Sequence, residues 1–226
     1  MLPSTLLTTT HQRRHQHGSR SEKAYQELKR KIVTLELPPA TVLTETVLME
    51  DLGIGRTPVR EALQRLSHED LVVILPRRGI IVADLNVSDL QKIFEIRVEL
   101  ESFAVRLAAA RALPKEISEM DALFATADEI IERGEHHQLI VLDHQAHRLL
   151  ARATHNPFLE DTLEQLYTHV LRLWYVSLHK VSRLREAIQE HCDIIEAVKE
   201  GDGERGAEIM SAHIIGFQTE FEITSN

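Results

Sequence analysis

The 226-residue chain has one cysteine, Cys192, which excludes an intrachain disulfide and fits a reducing compartment. It has no run of about 18 or more apolar residues, so the sequence predicts no membrane-spanning helix. The start, MLPSTLLTTTHQRRHQHGSR, places its basic residues after its apolar patch, the reverse of a secretory signal, and lacks a small-residue cleavage pattern. A cytoplasmic protein is the expectation. An excess of positive charge is also missing, since the formal net charge is −9. The acidity is uneven: residues 1–85 hold 12 Lys and Arg against 10 Asp and Glu, whereas residues 86–226 hold 14 against 25. The first part is therefore free to approach a polyanion. Beyond residue 88 glycine is scarce, as long helices require.

Residues 1–20 show no apolar period and read as a disordered tail, with His11, His15 and His17 as part of it rather than as metal ligands. From Ser21 order is expected. Tyr25, Leu28, Ile32 and Leu35 follow the spacing of an amphipathic helix, which Pro38-Pro39 must end. A second helix fits Thr44 to Leu52, with Val47, Leu48 and Leu52 apolar, and Gly53-Ile54-Gly55 breaks it. A third starts within Gly55 to Thr57, where Pro58 is tolerated, and its buried stripe is Val59, Ala62, Leu63 and Leu66. That stripe leaves Arg56, Thr57, Arg60 and Gln64 off the core near the helix N-terminus. Two helices so joined form the helix-turn-helix that reads the major groove. The apolar runs Leu71 to Leu75 and Ile80 to Val82, parted by Pro76-Arg77-Arg78-Gly79, read as a hairpin with a cationic tip. Arginine bonds guanine edges and phosphate oxygens equally well, so Arg56, Arg60, Arg77 and Arg78 point to DNA.

The segments GRTPVREALQRL and LPRRGIIV together resemble the winged helix-turn-helix of the GntR family of bacterial transcription regulators, over about Tyr25 to Asp84. The resemblance implies that Arg56, Thr57 and Arg60 contact operator bases or adjacent phosphates, and that Gly79 lets the wing backbone approach the minor groove. Three positions depart from the family pattern. Leu35 and Ala40 stand where glycine is common, and Gly55 replaces a serine or threonine, losing an N-cap oxygen.

After Asn86-Val87-Ser88-Asp89 the spacing predicts helices over 88–112, 114–133, 135–153, 157–179, 182–200 and 204–223. Four polar residues interrupt their apolar stripes. Asp143 and His147 fall between Ile140 and Leu150, His191 between Ile188 and Ile195, and His213 between Met210 and Phe217, with Phe221 beyond. His191 and His213 lie 11 residues either side of Asp202, so an antiparallel hairpin sets them at matching height, roughly 16 Å from the turn. Each histidine singly reads as a core residue. Together, three imidazoles and a carboxylate make a ligand set for a divalent ion, zinc first and nickel or manganese next, with room for an exogenous oxygen ligand. His144 is placed on the polar side with His137 and Arg148, and Cys192 reads as a buried structural thiol. The six helices resemble the ligand-binding FCD domain of the FadR-like branch of the GntR family, in its six-helix rather than seven-helix variety. Its metal-binding members share the pattern found here in DHQAH, EHCDI and SAHII.

Arg97 lies on the stripe Leu90, Ile93, Leu100, Ala104, where a cation needs an anion, either Glu101 or an effector carboxylate. Arg172, in HVLRLWYV, is a second effector candidate. The expected fold is mostly α: a winged helix-turn-helix at 21–85 and an antiparallel all-α bundle of about six helices at 88–226. The expected function is a homodimeric, metal-binding, carboxylate-responsive repressor on a palindromic double-stranded operator, since one recognition helix covers only a half-site. The competing readings are a metal-dependent hydrolytic enzyme, and a regulator whose bundle holds only a structural metal or serves dimerisation.

Overall fold

The computed structural model describes residues 20–75, 79–177 and 183–225. The tail histidines and the wing-tip residues Arg77 and Arg78 lie outside them. The chain divides into two compact units, residues 1–86 with 168–176, and residues 87–167 with 177–226.

In the first unit the order is α1 (Arg20–Val33), β1 (Val42–Leu43), α2 (Glu45–Leu52), α3 (Arg56–His68), β2 (Val72–Leu75) and β3 (Gly79–Val82). The core joins Tyr25, Leu28 and Ile32 of α1 to Val59, Leu63 and Leu66 of α3, with Leu48, Leu71 and Val82 closing it. Helix α1 stops short of the prolines because Leu35 turns left-handed, φ 61°. Ala40 does the same at φ 62°. The two places where the family favours glycine therefore do adopt the conformation that disfavours a Cβ, at roughly 1–2 kcal/mol each. The turn at Ala40 feeds β1, a strand absent from the sequence reading, into the sheet order β1-β3-β2, all antiparallel. Too short to show a period, β1 is defined by tertiary bonds, Ala40 N–H to the Val82 carbonyl and Val82 N–H to that of Thr41. Helix α2 buries Leu48 and exposes Val47. Lys29, fully buried, is paired with Glu69 at 2.9 Å, and the Tyr25 hydroxyl donates to the same carboxylate.

The second unit holds α4 (Val87–Arg111), α5 (Pro114–Leu123), α6 (Ala127–Glu132), α7 (His136–Ala153), α8 (Pro157–Ser177, of which Thr168–Val176 group with the first unit), α9 (Leu184–Glu200) and α10 (Gly203–Ser225). The bundle thus has seven helices among the described residues, because the expected 114–133 helix is two. Phe124 leaves the helical path at φ −96°, ψ 7°, and Thr126 takes the N-cap position of α6, with Asp128 and Glu129 in its first turn. No glycine or proline marks that break. Helix α4 packs against α10, α7 and α9. Gly206 allows the close approach of α10, since a Cβ there would stand 2.7 Å from Val105 Cγ1.

Candidate DNA-reading surface and metal centre

Helix α3 buries Val59, Ala62, Leu63 and Leu66 and exposes Arg56, Thr57, Arg60 and Gln64. Its N-cap Gly55 supplies no side-chain bond, as the missing hydroxyl implied. Gly79 is exposed at φ 106°, a conformation that favours glycine, at the base of the wing. One partner was missed. Glu45, in the first turn of α2, takes the Arg60 Nε at 2.7 Å and stands 3.8 Å from that of Arg56. This carboxylate holds both cations on one side of α3 and raises the Arg60 pKa through its hydrogen bond. No spacing on α3 could reveal it, because the pairing crosses the turn.

In the bundle, α7 places Asp143 and His147 one turn apart, and α9 and α10 bring His191 and His213 beside them. All four are at least nine-tenths buried. One ligand atom from each lies within 4.8 Å of all the others. The His191 and His213 rings are 4.4 Å apart, and those of His147 and His191 4.9 Å. The other side of each imidazole is occupied. His191 Nδ1–H donates to the Ala187 carbonyl at 2.9 Å, His213 Nδ1 meets Glu190 Oε2 at 2.8 Å, and His147 Nδ1 meets Glu101. Since a carbonyl can only accept, His191 must keep its proton on Nδ1, and the lone pair falls on Nε2. The buried atoms Asp143 Oδ1, both ring nitrogens of His147 and His191 Nε2 have no hydrogen-bond partner, the contact of His147 Nδ1 with Glu101 being an ion pair. Three buried imidazoles and a carboxylate, with His191 Nδ1 and His213 Nε2 at 3.7 and 3.6 Å from Asp143 Oδ1, suit a borderline divalent cation.

Electrostatics agree with that use. Burial lowers the His191 pKa to about 4 and that of His213 well below its ordinary value, so both rings are neutral at pH 7. Burial raises the pKa of Asp143, but the surrounding imidazoles and the Tyr167 hydroxyl, which donates to Oδ2, bring it below the usual carboxylate value.

The remaining sequence candidates fall differently. Arg97 is buried and answered by Glu101, its Nε 2.5 Å from Oε1, while the same carboxylate touches His147. It stands behind the ligand set, its guanidinium 4.9 Å from the Tyr167 ring. Arg172 is the other effector candidate. It belongs to the first unit, donates to the Ala83 carbonyl, and has its pKa lowered to about 10 by burial. His144 does not face solvent: it is 1 % exposed, bonded to Glu164 at 3.2 Å and stacked on Tyr167 at 4.5 Å. Helix α7 is covered on more than its main stripe, which a single-face reading cannot anticipate. Cys192 is half-buried rather than buried, and burial raises its thiol pKa. Glu190, Tyr167 and Glu164 were missed, as was the contact of Glu101 with His147. The one available signal was their sequence placement, Glu101 one turn after Arg97 and Glu190 beside His191.

Residues 20–82 match the bacterial regulatory proteins of the gntR family, and residues 92–216 match the FCD domain. The HTH-type transcriptional regulator YdhC of Bacillus subtilis is 29% identical over 84% of this chain and 85% of its own length. The HTH-type transcriptional repressor RspR of Escherichia coli is 28% identical over 86% and 85%. The solved structure of E. coli McbR/YncC superposes with a TM-score of 0.81 at 25% identity, covering 92% of this chain and 99% of that one. No helix among the described residues is long and apolar enough to cross a membrane. With an exposed arginine-bearing helix, a β-wing and a helical second unit all matched, the chain belongs to the gntR family and is a DNA-binding transcriptional regulator with an FCD domain.

Proposed function

We propose that the protein is a cytoplasmic homodimeric repressor whose helical domain, residues 88–226, binds one divalent metal ion and a small carboxylate effector, and whose DNA-binding domain is residues 21–85. The observation that carries this reading is the convergence of four buried ligand atoms within 4.8 Å of one another. Asp143, His147, His191 and His213 hold the ion, with zinc the first choice and nickel or manganese next. When bound, the metal supplies a Lewis-acidic position at which a carboxylate oxygen can be held. Arg97 lies one residue behind His147, through Glu101, and sets the positive side of the effector site. Arg56, Thr57, Arg60 and Gln64 read operator bases, while Arg77 and Arg78 grip phosphates and Gly79 lets the wing approach. Dimerisation follows from the geometry of a palindrome. The E. coli relative named a repressor supports that sign of regulation. A hydrolytic role is disfavoured because Glu101 and Glu190, the carboxylates nearest the imidazoles, are both engaged at Nδ1 positions and at arginines.

The test is elemental analysis of protein purified without chelator or affinity metal, joined to operator binding by fluorescence anisotropy across a series of small carboxylates. One metal ion per chain, and operator release by one class of carboxylate, are expected. Absence of stoichiometric metal and of any stabilisation by zinc, nickel or manganese overturns the metal reading. Turnover of organic acids revives the enzyme, and metal without any effector response leaves a structural ion.

A further inference from the structure

Two of the three imidazoles are backed in the same way. His147 Nδ1 meets Glu101, which Arg97 pairs; His213 Nδ1 meets Glu190 Oε2 at 2.8 Å, and Glu190 Oε1 lies 2.5 Å from Arg183 Nη2. The first chain is sealed, its Arg97 and Glu101 side chains 4 % and 6 % exposed. The second reaches the surface, with Arg183 and Glu190 at 23 % and 25 %. Gly216, inside α10, explains how the second arginine is seated. A Cβ there would lie 1.6 Å from Arg183 Nη1 and 2.4 Å from Cζ, so the guanidinium lies directly on bare backbone, with the Phe217 ring 5.4 Å away. A mid-helix glycine is unfavourable relative to alanine, and here it opens a slot for a cation.

We infer that Glu190 is a positioning residue for the proposed metal site, holding His213 with its proton on Nδ1 and its lone pair inward, and that Arg183, seated on Gly216, holds Glu190. The inference rests on the metal reading above. A carboxylate on the Nδ1–H fixes the ring and raises the basicity of Nε2, and the paired arginine supplies orientation while balancing the charge. His191 differs, since its Nδ1 is held by a main-chain carbonyl that no side-chain substitution removes.

The test uses cobalt(II) alone as the probe, on the full chain, with visible absorption as the signature of the ligand set and chelator competition for affinity. Glu190→Ala is expected to weaken cobalt binding by roughly 10- to 100-fold and to alter the absorption bands, and Glu190→Gln, which still accepts a hydrogen bond, to recover part of both. Gly216→Ala displaces the guanidinium without touching a ligand. It is expected to weaken binding less than Glu190→Ala, and to add nothing in a Glu190→Ala background. Metal-free melting separates folding from positioning, since a purely structural residue would lower stability without rescue by glutamine. If wild type binds cobalt and both Glu190 variants match it in affinity and spectrum, the positioning role is wrong. If Gly216→Ala has the same effect in both backgrounds, Arg183 does not act through Glu190. If wild type binds no cobalt, the metal reading fails, and this inference with it.

Discussion

The two units use polar side chains in opposite ways. On α3 the functional candidates stand off the apolar stripe: Arg56 and Arg60 have side chains 61 % and 59 % exposed, and one carboxylate, Glu45, loosely holds both. In the bundle the candidates stand on the stripes, buried and in contact with carboxylates. Partner size explains the contrast. DNA is met at a surface, where long cations must remain free to adjust and each surface ion pair is worth little. The proposed ion would be met inside, where a half-satisfied buried carboxylate is expensive and every donor must be aimed beforehand.

The strongest way to break the comparison is to remove a ligand. His191→Ala and His213→Ala are each expected to abolish metal binding measured by elemental analysis, and to lower the melting temperature of metal-loaded protein, because a ligand bound only to the folded state stabilises it by mass action. Operator affinity without metal or effector is the control that keeps the two sites separate. Next, Arg56→Ala and Arg60→Ala are each expected to cost roughly 1–3 kcal/mol of operator binding while metal content is unchanged. An unaltered operator affinity in the double variant would remove α3 as the reading element.

A third test concerns His144, which is buried yet outside the ligand set. His144→Ala is expected to leave metal content unchanged but to lower stability by about 1–3 kcal/mol, measured by denaturant unfolding, since Glu164 loses a buried partner. Loss of metal in this variant would make it a ligand after all. The pH dependence sharpens the same contrast. With its folded pKa near 4, His191 is neutral in the native chain while an unfolded histidine takes up a proton below about 6.5. The unfolded state then binds more protons, so the metal-free protein holds this contribution above pH 6.5 and loses stability as pH falls toward 4. Melting temperatures flat across that window would contradict the burial argument. The smallest effect is expected at the exposed Ala40. Ala40→Gly relieves the left-handed backbone and should stabilise by about 0.5–1 kcal/mol after the entropy glycine adds to the unfolded chain.

Much of this molecule was legible beforehand because helices turn periodicity into faces. Val59, Ala62, Leu63 and Leu66 defined one side of α3 and so delivered Arg56 and Arg60 to the other. The equal spacing of His191 and His213 about the 201–203 turn set them level, and the rings are 4.4 Å apart. The break at Phe124–Thr126 escaped because a helix can stop without glycine or proline when its next turn packs better elsewhere. His144 escaped because periodicity supposes one buried face.

By itself the sequence determined which side of α3 stays exposed and which four polar residues interrupt the apolar stripes of the bundle, since each follows from spacing along one element. Only the tertiary structure decided what stands behind those residues. Glu190 neighbours His191 in the chain yet serves His213, Glu101 reaches His147 across two helices, and Glu45 crosses a turn to Arg60. Such pairings depend on how helices cross, and crossing is set by packing between elements rather than by the period within any one of them.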